Sequence, residues 1–507
     1  MNNTQAVLIK SLSDEIFHLK NNLKQSDQTI DSLNEQLNWL KRQIFGKRSE
    51  KIISNVNCQQ LEFEGFSKFF EKDKEETKKI SAYQRRTSIK GKDKIILPPD
   101  LPVKTIIIDI PEKEKICKKT GQPLVKIGKE VSLKLAHKPG SYYIKEIIRP
   151  KYAHPQKEEA GIFIAALPDS IIPKCRADES FLSDVLVKKF ADHQPLYRIA
   201  EILSREGIRI SRKLISSWVV RIGTELRPLY NEMIKQILSG GNIFIDETPI
   251  KMQDKAKCKQ TYMWVIVGGK GSDPPYRIYD FRETRSHCHV KDMLSGYRQV
   301  LHSDKYGGYE QLAQSKQFIW CPYWSHVRRK FFEAEFGDMS FRKWVLRKIR
   351  YLFMLEKVAW PRDEKERFCI RKEKEVPIIG ELIEKIKIKI QDHKILPKSK
   401  FKQALWYFCG LIPYLKNYTN YPFARLDNNV AERAIRPIAI GRKNWLFIGS
   451  PDGGRAAAVL LSLIQTCRNL KINPQIYLED MMRRFMSHSA NKLYELLPDQ
   501  WAKKYQK

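Results

Sequence analysis

Three carboxylates stand where they could act together. Asp246 follows the apolar run Ile243-Phe244-Ile245, and Asp304 follows Ser303 after the run Arg298 to His302. Glu432 lies in Asp427-Asn428-Asn429-Val430-Ala431-Glu432-Arg433-Ala434-Ile435-Arg436. The first run is short, rich in β-formers and preceded by Gly240-Gly241, so it reads as a strand that stops on an acid at the rim of a sheet. Taken singly, Asp246 is a turn residue and Glu432 one member of a salt-bridged surface helix. Taken together they have a use. Neighbouring carboxylates repel unless a cation compensates them. Two divalent ions held there would activate a water or a 3′-hydroxyl and stabilise the leaving oxygen of a phosphodiester. All-oxygen ligands suit Mg2+. A strand alternates its side chains between faces, so Glu247 is expected to be a bystander to Asp246.

The elements around these acids suggest how they meet. Met263 to Val267 and Arg277 to Phe281 read as strands, with Gly268-Gly269 and Asp273-Pro274-Pro275 as turns. His289 to Leu294 reads as a helix, Arg298 to His302 as a fourth strand, Tyr309 to Ala313 as a short helix and Gln317 to Cys321 as a fifth strand. The order β-β-β-α-β-α-β is that of a ribonuclease-H-like domain, whose first and fourth strands are neighbours. Asp246 and Asp304 would then lie side by side. A basic helical insertion, about 326–400, interrupts the domain, and Leu426 to Arg436 forms a helix closed by Pro437. Asn428, Glu432 and Arg436 are four apart and share one face of it, while Ala431, Ala434 and Ile435 supply the packing face.

Basic residues flank the acids. Arg433 and Arg436 beside a metal-binding Glu make sense if DNA phosphates pass there. Gly441 to Ser450 interleaves Arg442, Lys443 and Trp445 between glycines, which suits phosphate contact and base stacking. His326, Arg328, Arg329 and Lys330 form a second basic set after the fifth strand. Upstream, Asp178 to Leu238 is helical. Pro195 to Ser204 ends at Glu206-Gly207, and Ser211 caps a helix with Leu214, Ile215, Trp218, Val219 and Ile222 at apolar spacing. Helix, glycine turn, helix fits either a helix-turn-helix with Arg209, Arg212, Lys213 and Arg221 as its basic face, or a plain helical hairpin.

The totals agree with a polyanionic partner. The 507 residues carry 92 Lys and Arg against 58 Asp and Glu, a formal charge of +34. The chain is too long for one core, and an excess of this size points first to nucleic acid. The charge is spread through a sequence that is 42% hydrophobic, which excludes a ribosomal-type tail. The 9 cysteines are scattered singly, as in a reducing compartment. No apolar run approaches the roughly 20 residues of a membrane helix, and the start has no signal-peptide pattern. A cytoplasmic protein is expected.

The N-terminus carries a heptad seam. Ile9, Ile16, Leu23, Ile30, Leu37 and Ile44 take one core position, and Leu12, Leu19, Leu33 and Leu40 the other, with Ser26 as the polar exception. The pattern predicts a parallel coiled-coil dimer through residues 8–45. Glu71 to Lys94 is charge-dense and short of large apolar residues, a tether. Thr105 to Ile110 and Tyr142 to Ile148, with turns at Thr120-Gly121 and Pro139-Gly140, read as a small β module. Cys117 and His154 do not make a four-ligand zinc site.

These separated motifs, in order, resemble the transposases of the insertion sequence 66 family over nearly the whole chain. The resembling segments are Ile44 to Lys51, Leu97 to Leu101, Asp246 to Pro249, Ser303 to Tyr309, His326 to Phe331, Asn428 to Pro437, Ala439 to Ser450 and Pro474 to Leu478. The resemblance implies a DDE transposase in which Asp246, Asp304 and Glu432 match the catalytic and metal-binding triad. It also implies double-stranded DNA as partner, and small companion proteins of the same element. The family's four-cysteine zinc module is degenerate here: Cys117 matches its first ligand, but Thr120, His154 and Lys157 stand at the others. Zinc is therefore not expected, and Mg2+, replaceable by Mn2+, is.

The expected architecture is multidomain α+β. It comprises a leucine-zipper coiled coil (1–45), a basic linker (46–95), a degenerate zinc-ribbon-like β module (96–175) and a helical helix-turn-helix-like region (176–239). A ribonuclease-H-like α/β catalytic domain (240–450) and a C-terminal helical region (451–507) follow. The expected activity is binding of the element's terminal inverted repeats, end cleavage and strand transfer. The alternatives are a catalytically inactive DNA-binding repressor of the element and a structure-specific nuclease.

Overall fold

The structure, a computed structural model, describes residues 101–505 apart from 113–114, 117–122, 124, 139, 154–161, 255–256 and 270–274. The heptad seam, the linker, and Cys117, Thr120, His154 and Lys157 lie outside the described residues.

The described chain is mixed α/β and contains two sheets. The first comprises β1 (Val103–Ile107), β2 (Val125–Lys138), β3 (Ser141–Ala153) and β4 (Ile162–Ile164). β2 and β3 make a long antiparallel hairpin, and β1 runs parallel to β3 on its other side. β2 has no counterpart in the sequence expectation. Its apolar residues Val125, Ile127, Val131 and Leu133 are exposed, and Lys126, Gly128, Lys129, Glu130 and Ser132 stand between them.

Four helices follow: α1 (Glu179–Phe190), α2 (Leu196–Arg205), α3 (Arg212–Glu225) and α4 (Arg227–Leu238). Ser211 caps α3, its hydroxyl accepting from the Leu214 amide at 3.2 Å. Ile215, Trp218, Val219 and Ile222 are buried, and Arg212, Lys213 and Arg221 are exposed on the opposite side.

The second sheet holds β5 (Asn242–Asp254), β6 (Lys257–Gly268) and β7 (Tyr276–Arg282), then α5 (His287–Met293), β8 (Val300–Ser303), α6 (Gly307–Gln314) and β9 (Ile319–Pro322). The strand order is β7-β6-β5-β8-β9. β5, β6 and β7 are antiparallel neighbours, while β8 is parallel to both β5 and β9. The helices α7 (Trp324–Glu333), α8 (Met339–Ala359), α9 (Glu364–Ile370), α10 (Val376–Lys389) and α11 (Lys400–Leu411) come next. They are followed by α12 (Asn429–Trp445), α13 (Pro451–Asn469), α14 (Pro474–Phe485) and α15 (Pro498–Tyr505). Ile243, Phe244, Ile245, Val265, Ile266 and Leu301 form the buried centre of the sheet. The outer edge of β7 is closed by α13: the Ser462 and Thr466 hydroxyls accept from the Tyr279 and Arg277 amides at 2.8 and 3.0 Å. That removes an edge open to foreign strands.

Two elements run further than expected. β5 does not stop at Asp246 but continues to Asp254, because β6 pairs with it along its whole length, to Asp254 opposite Lys257. Pairing with β8 ends at Phe244 opposite His302. Between that point and a bridge to Ile448 at Met252, β5 has no strand on this side among the described residues, and the missing N–H of Pro249 is tolerated. Likewise α12 is not closed by Pro437 but runs to Trp445. Proline removes one helical hydrogen bond. Burial of Pro437, Ile438 and Gly441 holds the helix together on both sides of the gap.

The insertion is pinned by a buried arginine. Arg371 bonds both oxygens of Glu356 (2.7 and 2.8 Å) and the carbonyls of Tyr421 (2.8 Å) and Ala424 (2.7 Å). The helices therefore close on the segment that leads into α12.

Candidate active site

The end of the β5–β8 ladder places two aspartates together. Asn242, Ile243 and Phe244 pair with Val300, Leu301 and His302. Asp246 and Asp304 each stand two residues beyond the last of these pairs, and the Asp304 charge acts on Asp246. Tyr323 fastens the strands just below, its hydroxyl donating to the carbonyls of His302 (3.1 Å) and Ile245 (3.4 Å). Both aspartates are largely withdrawn from water. Burial, then the charges of Glu247 and Asp304, push the Asp246 carboxyl up to about 8. Burial and then Glu247 push Asp304 up to about 6, against the opposing pull of Arg285 and the Tyr306 amide. Asp246 keeps one acceptor bond, from the Glu247 amide at 2.9 Å. Oδ1 of Asp304 is buried with no hydrogen-bond partner.

Glu247 is occupied elsewhere. Its Oε1 accepts from Arg285 Nε at 2.7 Å, and its Oε2 accepts from the Tyr309 hydroxyl at 3.3 Å. The Arg285 guanidinium also lies 4.4 Å from the centroid of the Tyr306 ring, and the Tyr306 hydroxyl donates to the Arg285 carbonyl. Arg285, Tyr306 and Tyr309 thus surround the aspartates, and none was a sequence candidate. Arg285 and Glu247 are 38 residues apart, so no local spacing signals the pair.

Glu432 stands in the first turn of α12 with its side chain 49% exposed. Its charge also raises Asp246. Asn428 organises its surroundings. The Asn428 amide donates to Glu432 Oε1 at 2.7 Å and faces His326 Nε2 at 3.2 Å, and its carbonyl accepts from the Ser325 hydroxyl at 2.9 Å. Arg329, 59% exposed, lies 3.9 Å from Glu432. The start of α7 and the start of α12 therefore meet at Glu432. Among the described residues, no three His, Cys, Asp or Glu side chains stand close enough to share one ion. The chemistry of the pair nevertheless fits a divalent cation: oxygen donors only, one of them buried and unpartnered, and two acids that burial and the Glu247 charge both raise.

The basic candidates divide. Arg328, Lys330, Arg433, Arg436 and Lys443 are exposed, as are Arg212 and Lys213 at the start of α3. Arg328 lies over the Phe332 ring at 5.7 Å. His326 is no cation: burial, then Arg329 and Lys330, push it down to about 4. Arg442 is used within the fold, donating to the Thr248 hydroxyl (2.8 Å) and the Pro249 carbonyl (2.7 Å). Trp445 is half-buried rather than open for stacking. Phe190 packs edge-on at 6.1 Å, Lys189 lies 4.8 Å from its ring centroid, and its indole N–H bonds the His193 carbonyl at 3.1 Å. Because α12 runs through Pro437, these residues stand on a helix and not on a glycine-bordered loop.

Among the described residues, no helix is long and apolar enough to cross a membrane. Three curated proteins of Sinorhizobium fredii (strain NBRC 101917 / NGR234) are similar over most of both chains. Uncharacterized protein y4qI is 29% identical, over 96% of this chain and 91% of its own. Uncharacterized protein y4jD is 28% identical, over 95% and 97%. Uncharacterized protein y4hP is 27% identical, over 93% and 89%. Residues 32–106 match the family described as Transposase C of IS166 homeodomain, and residues 462–498 match the IS66 C-terminal element. Residues 174–456, more than half the chain and all three carboxylates, match the Transposase IS66 family, and the chain belongs to that family of transposases.

Proposed function

We propose that this chain is a DDE-type DNA transposase with a ribonuclease-H-like catalytic domain. It binds the terminal inverted repeats of its element, cuts the ends and joins them to target DNA. The observation that carries the reading is the pair Asp246 and Asp304, each two residues beyond the last β5–β8 pair, both raised, with one buried oxygen unpartnered. The sheet order β7-β6-β5-β8-β9 supports the fold assignment.

Asp246 and Asp304 would hold the metal, with Glu432 as the third acid. Two bound Mg2+ ions, which Mn2+ can replace, supply nucleophile activation and leaving-oxygen stabilisation. The protein's own part is positional. Tyr323 locks the two strand ends. Arg285 pairs with Glu247, whose charge bears on both aspartates. Asn428 fixes the rotamer of Glu432, the third acid, by its 2.7 Å bond. Arg329, 3.9 Å from Glu432, and the exposed Arg433 and Arg436 suit DNA phosphates. The charge of +34 supports a polyanionic substrate. Dimerisation through residues 8–45, DNA contact by Arg212 and Lys213 at the helix-turn-helix-like region, small companion proteins and a cytoplasmic location complete the proposal. The test is strand transfer of labelled element-end DNA by Asp304→Asn. The reading requires activity to vanish with DNA binding retained, and wild-type transfer would overturn it.

A further inference from the structure

The helical insertion, expected to end near residue 400, runs on into α11 (Lys400–Leu411), and this helix returns to the aspartates. Phe401, Ala404, Leu405, Phe408 and Leu411 bury one face of α11, and Phe408 packs against Trp324 and Phe331. Tyr407 lies on the flank nearer the site: the Asp304 charge and the Lys305 backbone amide both act on its hydroxyl. Two lysines from different elements gather over its ring. Nζ of Lys305 stands 5.5 Å from the ring centroid, and Nζ of Lys330, from α7, stands 5.7 Å from it. One turn along, Gly410 leaves the space the first of them uses. A Cβ there would collide with the Lys305 ammonium and come within 3.2 Å of its Cε. Glycine inside a helix weakens it, so a close approach is its usual reason.

Lys305 follows Asp304 in sequence, yet its ammonium is carried onto the ring. The cation that bears on Asp304 is Arg285. Neither lysine forms an ion pair with a carboxylate among the described residues. Both ammonium groups stand against one aromatic ring, and like charges there do not compensate each other. An anion between them completes the arrangement, and the anion that must pass beside Asp304 is a DNA backbone phosphate.

We propose that Lys305 and Lys330, gathered over Tyr407 beside Gly410, form a cradle for a DNA phosphate flanking the one that reacts. The helical insertion is then part of the substrate site, and Tyr407 is a positioning residue. This rests on reading Asp246 and Asp304 as a phosphodiester site.

The experiment uses the full chain and a labelled duplex carrying the element's terminal repeat. Affinity is measured against KCl concentration, and Mg2+-dependent nicking gives KM and kcat. Lys305→Ala and Lys330→Ala should each lower the slope of log affinity against log salt by about one. Each should raise KM roughly tenfold, with a smaller change in kcat. Tyr407→Leu should reproduce the loss, and Tyr407→Phe, which restores the ring, should recover most of it. Gly410→Ala displaces Lys305 without changing net charge and should raise KM in the same direction. Wild-type salt slopes and KM in both lysine variants overturn the cradle. If Asp304→Asn then still abolishes nicking, the wider reading stands. If Asp304→Asn nicks normally while the lysine slopes fall, the wider reading fails and the phosphate contact survives.

Discussion

Replacing Asp246 with asparagine should stabilise the metal-free protein while abolishing its chemistry. The Asp246 carboxyl rises from 3.8 to about 8, first through burial and then through Glu247 and Asp304. The folded state therefore keeps a proton that the unfolded chain releases, so stability falls as pH rises through that interval and levels off above it. At pH 7 the folded carboxyl is still protonated, and the cost is about 4 kcal/mol at ~1.4 kcal/mol per unit. Relaxation of the site in the variant would reduce the gain to roughly 2–4 kcal/mol. Asparagine keeps an acceptor for the Glu247 amide, the bond Asp246 makes at 2.9 Å. The assay is thermal melting in chelator across pH, followed by the fluorescence of Trp264 and Trp320, both buried in this sheet. Asp246→Asn should melt above wild type at pH 7 and coincide with it near pH 4. Added Mg2+ should raise the wild type alone. An Asp246→Asn protein that melts at or below wild type at pH 7 in chelator would refute the burial of an uncompensated acid at Asp246.

Asn428→Ala frees Glu432 from its 2.7 Å bond and should lower the nicking kcat by about 10²-fold with DNA affinity unchanged, read by single-turnover kinetics. Arg371→Ala leaves Glu356 without its cation and the Ala424 carbonyl without its donor, and should cost about 3–5 kcal/mol by chemical denaturation. Gly223→Ala forces a Cβ to 2.6 Å from Ala456 Cα and Cβ, so α3 must move off α13, costing about 1–3 kcal/mol in the same assay.

The neighbourhood of the two aspartates is legible in the sequence because each follows an apolar strand run, and the order of elements sets which strands adjoin. The cap of α3 is legible from Ser211 alone, since capping is a local interaction. What is not legible depends on partners distant in sequence. The length of β5 is decided by β6, and the continuation of α12 past Pro437 by burial on both sides of it. The pairing of Glu247 with Arg285, the burial of Trp445 against Phe190 and the neutrality of His326 come from packing that no spacing encodes. Trp445 and Arg442 carry side-chain types that suit DNA, but the fold engages both internally. Lys305, Lys330 and Tyr407 meet only because the insertion doubles back, so 102 residues of chain separate Lys305 from the ring it covers.

The claim that Asp304 holds a divalent ion for phosphodiester chemistry is tested most directly by exchanging its oxygen ligand for sulfur. Asp304→Cys should bind element-end DNA normally, lose nicking in Mg2+, which disfavours thiolate, and regain part of it in Mn2+, which accepts softer ligands. Nicking at the wild-type rate by Asp304→Cys in Mg2+ would contradict the account.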